Sequence, residues 1–234
     1  MSLSHVRSGM KALGDYYHSK GAKYALYTAE SPRTCGGYPA SADHEMLDAQ
    51  TFADWGVECV NLPAYLSSRC LLLRLSFLPW CRSYMKVDGC GPPTYYDHGY
   101  KAMGAALEAS GRPIEYSCSW PAYINGGNET KQPFATFIEY GCNGWRNWDD
   151  IQCNWKSLGS IIDHWGDYGL SLQPFAGPGH WHDMDMLLIG SISGGEDGGV
   201  RGQRCVTLVE EMTQMAICEL AVAALAAAHA FATL

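Results

Sequence analysis

The apolar positions of the chain fall into two alternating rhythms. Between Val6 and Lys20, Met10, Leu13 and Tyr17 recur at helical spacing and Gly21 closes the run, which predicts a helix followed by a strand at Lys23–Thr28. The pair then repeats. A helix over Asp43–Trp55 is stopped by Gly56, and YMKVDG (Tyr84–Gly89) follows as a strand. A helix over Asp97–Ala109 ends at Gly111, and PIEYSCS (Pro113–Ser119) follows as the next. Further strands are predicted at GCNGWRN (Gly141–Asn147) and LQPFAG (Leu172–Gly177), separated by a helix over Ile151–Tyr168. Strand and helix taking turns is the signature of βα units around a parallel sheet, so the fold class is α/β.

Parallel sheets of this kind, above all (β/α)8 barrels, place reacting groups at the carboxyl ends of their strands. The polar residues sit there in this chain. Asp88 follows MKV, Ser117 and Ser119 follow IEY, Arg146, Asp149 and Asp150 follow CNGW, and Asp183 and Asp185 follow QPFAGPG. One Asp-Gly pair at a strand end is an ordinary turn. Four polar strand ends in series mark a functional rim.

Two segments break the rhythm. Cys59–Ser83 has no Asp or Glu and fits no βα unit, so it reads as an inserted apolar hairpin or as translated non-coding sequence. The tail from Cys218 is nearly all small and apolar, but Glu219 and His229 interrupt it, and it reads as a buried helix rather than a membrane span. The stretch 191–234 is expected to diverge from the barrel pattern.

Composition narrows the chemistry. With 234 residues, 47% hydrophobic and 17% charged, the chain can bury a sizeable core. A net charge of −8 without a basic run excludes a nucleic-acid partner and suits a neutral substrate. The 8 Trp and 14 Tyr suit sugar faces, whose C–H surfaces stack on rings. Ten cysteines without a CxxC pair argue against zinc or redox chemistry and fit either an oxidising compartment or buried thiols. Asn128-Glu129-Thr130 is a glycosylation sequon on a polar loop. The opening MSLSHVRSGMKALG lacks the apolar run of a secretory leader.

Two carboxylates on the tips of different strands are what glycoside hydrolysis with retention requires, about 5–5.5 Å apart. Asp88 lies next but one to Lys86, whose charge favours the ionised form of a nucleophile. Asp150 lies among Trp145, Trp148 and Trp155, which are expected to keep it protonated as an acid. A different chemistry is open to His180, His182, Asp183 and Asp185, which together could ligate the metal of a barrel hydrolase.

Seven blocks in order favour the glycosidase: GMKALGDYYHSKGAKYALYT, TCGGYPAS, DAQTFADWGVE, YMKVDGC, GRPIEYSCSWPAY, CNGWRNWDDIQ and QPFAGPGHWHDMDMLLIG. The chain resembles the eukaryotic α-galactosidase and α-N-acetylgalactosaminidase family over most of Gly9–Gly190, and EEMTQMAI from Glu210 briefly resumes the pattern. The resemblance implies part of a (β/α)8 barrel, with the family's first strands and C-terminal β-sandwich outside these residues. It implies Asp88 as nucleophile and Asp150 as acid/base, with Tyr27, Lys86, Cys90, Arg146 and Asp185 around the sugar. Small residues at Ser119 and Ala122 imply room for a 2-acetamido group, hence terminal α-linked N-acetylgalactosamine before plain α-galactose. Disulfides Cys35–Cys90 and Cys118–Cys142 are implied, while Cys59, Cys70 and Cys81 have no family partner. No cofactor, metal or membrane span is implied. The expected setting is lysosomal or secreted, as a homodimer acting on a glycan or glycolipid. His182 stands where the family has Asn and Met184 where it has Pro, which favours hydrogen bonding over metal binding at His182. The alternatives are an α-galactosidase, a metal-dependent hydrolase, and an inactive or binding-only remnant.

Overall fold

A computed structural model describes residues 8–57 and 83–218. The chain divides into two compact units, residues 1–118 with 139–142 and residues 119–138 with 143–234.

The first unit is built on three parallel strands, β1 (Leu26–Ala29), β2 (Ser83–Asp88) and β3 (Ile114–Cys118), with helices α1 (Gly9–Ser19), α2 (Glu45–Asp54) and α3 (Tyr96–Ala109) between them. Directly paired residues share a face. Tyr27 pairs with Lys86, Ala29 with Asp88 and Lys86 with Ser117, so the chemistry-bearing side chains line one side. The opposite side presents Met85, Val87, Tyr116 and Cys118, all buried. Burying Met85 and Val87 contributes about 2 kcal/mol each. Tyrosines on this side also satisfy backbone: Tyr100 donates to Val87 O at 3.1 Å, and Tyr116 donates to Tyr100 O at 3.0 Å. A β-carbon at Gly104 of α3 would lie 1.9 Å from the Tyr140 carbonyl, so only glycine allows 139–142 to cross there. The Cys118–Cys142 disulfide and the Tyr140–Asp97 hydrogen bond of 2.9 Å fasten that crossing.

The second unit opens with three short 3-10 turns (Trp120–Tyr123, Asn125–Gly127, Glu129–Lys131) and α4 (Phe134–Glu139). Then come β4 (Gly144–Arg146), α5 (Trp155–Leu172) and β5 (Trp181–Asp183), with a last helix over 208–218. β4 and β5 are parallel and pair Trp145 with His182. Phe134, Phe137, Trp145, Leu158, Ile161 and Leu172 form its buried interior.

β1 to β3, α1 to α3 and β4 lie within or close to their predicted spans. Two elements differ. The strand predicted at Leu172–Gly177 is instead the end of α5 and a 3-10 turn over Gln173–Phe175, and the fifth strand is Trp181–Asp183. Leu172 continues the apolar face of Leu158 and Ile161, Pro174 cannot donate to a strand ladder, and Gly177–His180 form a tight turn closed by two backbone hydrogen bonds. The helix predicted from Ile151 starts at Trp155, because Asn154 caps it by accepting from Ser157 N at 2.9 Å. The inserted stretch 59–82 and the tail beyond Cys218 lie outside the described residues. Among the described residues, 8–57 and 83–218, no helix is long and apolar enough to cross a membrane.

Candidate active site

Asp88 is the last residue of β2 and is buried. Its Oδ2 accepts from Tyr27 Oη at 2.8 Å and its Oδ1 from Gly89 N at 2.9 Å, so both carboxylate oxygens are held in orientation. Lys86 stands one pleat back on the same face, paired across β1 with Tyr27. Beyond Asp88 the chain is fastened three times. Cys90 is bonded to Cys35, Tyr27 Oη lies 3.3 Å from Cys90 Sγ, and Tyr96 Oη bridges the carbonyls of Gly89 and Gly91 at 2.7 and 2.9 Å. A carboxylate so anchored can attack an electrophilic carbon without first reorganising.

Glu30, the residue after β1, points the other way, into the helix-facing layer. Sequence reading passed it over. Its carboxyl is fully buried, neither oxygen has a hydrogen-bond partner among the described residues, and it packs directly on Gly99 of α3. Burial first, then the charges of Glu45, Asp43 and Asp48, push its pKa up to about 8. It is a protonated acid at neutral pH.

The second unit gathers the remaining site residues. Arg146, the last residue of β4, is buried, and its Nη1 pairs with Asp150 four residues on. Its Nη2 donates to Tyr123 Oη at 2.7 Å, and the guanidinium lies 5.3 Å over that ring. Asp185 lies 3.7 Å from the same guanidinium and accepts from Ile151 N at 2.8 Å. Its left-handed backbone (φ 72°) is supported by its own N–H donating to Asp183 Oδ1 at 2.8 Å. Asp183 and Asp185 therefore hold the loop that presents Asp150.

Asp150 differs from expectation. Its side chain is 65% exposed and is paired with arginine, not enclosed by tryptophan. Trp145, the middle residue of β4, is wholly buried, and Trp155 is exposed at the start of α5. Trp148 stacks on His164 at 4.1 Å over a buried group in which Glu129 meets His164 Nε2 at 2.7 Å and accepts from Asn147 Nδ2 at 3.1 Å. Aromatic neighbours in sequence do not enclose Asp150 because β4 buries Trp145, Trp148 stacks on His164 and Trp155 opens α5 at the surface.

Ser119 and Ala122 begin the second unit. Ala122 N donates to Ser119 O at 3.2 Å, which places the two residues on one 3-10 turn. The Ser119 hydroxyl is buried and has no protein partner among the described residues. Asn128 caps the next turn, its Oδ1 accepting from Thr130 N and Oγ1 at 3.1 and 2.6 Å.

The histidines are engaged within the protein. Trp145 Nε1, which can only donate, makes its hydrogen bond to His182 Nδ1 at 2.8 Å, so His182 Nε2 carries the ring proton and donates to Leu172 O at 2.9 Å. Burial lowers the His182 pKa to about 4 and keeps the ring neutral. His180 Nδ1 bonds Phe175 O at 2.9 Å. Two Cys/Asp/Cys groupings have metal-like spacing, but Cys35 with Cys90 and Cys153 with Cys205 are disulfides and offer no thiolates. Disulfides Cys35–Cys90 and Cys118–Cys142 form as implied. The third, Cys153–Cys205, was missed; 52 residues of separation leave no local signal.

The alpha galactosidase A family profile matches residues 2–74 and 72–227. The alpha-N-acetylgalactosaminidase of Gallus gallus is 44% identical over 185 residues, covering 78% of this chain and 39% of that protein. Alpha-galactosidase A of Homo sapiens is 38% identical over 190 residues, covering 78% and 37%. Among solved structures, an alpha-galactosidase/melibiase from Bacteroides fragilis superposes with a TM-score of 0.66 at 26% identity, covering 90% of this chain and 39% of that one. Alpha-galactosidase I of Mortierella vinacea shares the fold with a TM-score of 0.59 over 93% of this chain and 55% of its own. This chain therefore spans about two fifths of the length of its curated relatives, and it belongs to the alpha galactosidase A family, which includes the alpha-N-acetylgalactosaminidases.

Proposed function

We propose that the protein carrying this chain hydrolyses terminal α-linked N-acetylgalactosamine from glycans or glycolipids, with slower action on α-galactose. Asp88 attacks the anomeric carbon while Asp150 gives a proton to the departing oxygen. Water then attacks the anomeric carbon as Asp150, now a carboxylate, takes a proton from it and the bond to Asp88 breaks, and two inversions give retention. Tyr27 orients Asp88. Arg146 holds the Asp150 carboxylate in the resting site; once substrate hydroxyls compete for the guanidinium, the released carboxylate takes up a proton from solvent and gives it to the leaving group.

The observation that carries the choice of sugar is the buried, unpartnered Ser119 hydroxyl on the same turn as the methyl of Ala122. An unpaired buried hydroxyl costs about 1–3 kcal/mol. An acetamido oxygen or N–H would satisfy it and a bare 2-hydroxyl would reach less far, which is a reason to favour the acetamido sugar. The plain α-galactosidase reading rests on the relatives of that name. Assays of chromogenic α-N-acetylgalactosaminide and α-galactoside with the full-length protein decide between them. A higher kcat/KM on α-galactoside refutes the sugar assignment, and turnover of neither leaves the binding-remnant reading.

Three disulfides and the sequon at Asn128 support a lysosomal or secreted setting, and family resemblance supports a homodimer. Peptide mass spectrometry of the secreted protein, testing Asn128 for a glycan, and sedimentation check both.

A further inference from the structure

Residues 191–206 form a long loop closed at its base by a bridge between Ile192 and Arg204. The loop is organised from inside by Asp197, whose carboxylate accepts from Ser193 Oγ at 2.5 Å, Gly194 N at 3.0 Å and Gly199 N at 3.4 Å. Folded this way, it presents carbonyls to the stretch that follows Asp150. Asp197 O accepts from Cys153 N at 2.6 Å, and Gly198 O from Asn154 Nδ2 at 3.3 Å. Contact is close enough to require glycine: a β-carbon at Gly199 would lie 2.7 Å from Cys153 Sγ and 2.8 Å from Cys153 O. The Cys153–Cys205 disulfide completes the junction, and both cysteines are buried in a small core with Leu158, Leu188 and Val206.

Asp150 lies three residues before Cys153, on a segment with no helix or strand to stiffen it. Arg146 and Asp185 hold the near end of that segment. We propose that the 191–206 loop is a clamp for its far end, and that Cys153 and Cys205 are positioning residues for the acid/base carboxyl. The proposal rests on the reading of Asp150 as acid/base. An exposed carboxylate on a short loop keeps its aim only if both ends are fixed, and a displacement of about 1 Å can lower a rate roughly a hundredfold. Such a loss falls on proton donation. It is therefore largest for substrates whose leaving group needs a proton.

The test uses the full-length protein and two α-glycosides of the same sugar, one with a dinitrophenyl leaving group and one with an alkyl leaving group. For C153S/C205S, kcat on the alkyl glycoside should fall at least tenfold and on the dinitrophenyl glycoside less than threefold, with azide restoring part of any loss on the latter. Gly199→Ala, which keeps the disulfide and pushes on Cys153, should shift the ratio in the same direction. Equal losses on both substrates, or an unchanged ratio in both variants, overturn the clamp. Asp150→Ala separates the two ideas. If it shows steep leaving-group dependence and azide rescue while the clamp variants do not, only the clamp fails; if it shows neither, the acid/base assignment fails first.

Discussion

Glu30 makes the fold sensitive to pH in a direction that can be calculated. An ordinary glutamate in the unfolded chain titrates near 4.5, whereas in the native protein the carboxyl keeps its proton up to about 8. Below pH 4.5 both states are protonated and Glu30 adds no pH dependence. Between 4.5 and 8 the unfolded chain releases a proton that the native state retains, so stability falls as pH rises. The interval is roughly 3.5 pH units at 1.36 kcal/mol each, or about 5 kcal/mol across the window and about 4 kcal/mol by pH 7.5. Glu30→Gln keeps the shape and removes the proton equilibrium. Urea unfolding followed by tryptophan fluorescence, with disulfides intact, should give a wild-type-to-variant difference that is flat near pH 4.5 and grows in favour of Glu30→Gln to about 4 kcal/mol at pH 7.5. All other groups titrate alike in both proteins, so the difference isolates Glu30. A difference independent of pH would refute the reasoning.

Four further outcomes are expected. Tyr27→Phe removes the hydrogen bond to Asp88 Oδ2, and steady-state kinetics should show kcat/KM about ten- to a hundredfold lower. Ser119→Glu with Ala122→Leu should lower turnover of the α-N-acetylgalactosaminide more than a hundredfold relative to the α-galactoside in paired assays. Gly127→Ala places a β-carbon 1.9 Å from the Trp148 ring at a φ of 70°, and denaturant titration should show a loss of about 3 kcal/mol. His182 stays neutral in the native state down to about pH 4 while the unfolded chain protonates near 6.5, so its stability contribution is present above 6.5 and lost as pH falls to 4. His182→Asn should flatten that acid limb in pH-dependent melting curves.

Much of the first unit was legible because its signals are local. An apolar run ending in Asp-Gly put Asp88 at the end of β2, and the glycines that stop α1, α2 and α3 stand where the helical rhythm ends. The family blocks carried Arg146, Asp150, Asp185 and Ser119. What sequence could not reveal depends on distant partners. His182 and Asp183 form a strand in which Trp145 and Leu172 satisfy His182 from two sides, whereas the sequence placed the strand at Leu172–Gly177. The surroundings of Asp150 were misread because Trp148 spends its ring on His164, a contact fixed by Glu129 and Asn147. The burial of Glu30 follows from the pleat of β1 and the bare face of Gly99. The Cys153–Cys205 pair exists only because a loop folded by Asp197 returns to the segment that follows Asp150.

The central claim is that Asp88 forms a covalent bond to the sugar. The full-length protein should be treated with a 5-fluoro-α-glycosyl fluoride, which slows breakdown of a glycosyl-enzyme intermediate, then reduced, alkylated and digested for peptide mass spectrometry. The account predicts time-dependent inactivation and a single fluorosugar adduct on the peptide containing Tyr84–Gly91, localised to Asp88. Turnover with inverted product and no adduct, or an adduct on another carboxylate, would contradict it.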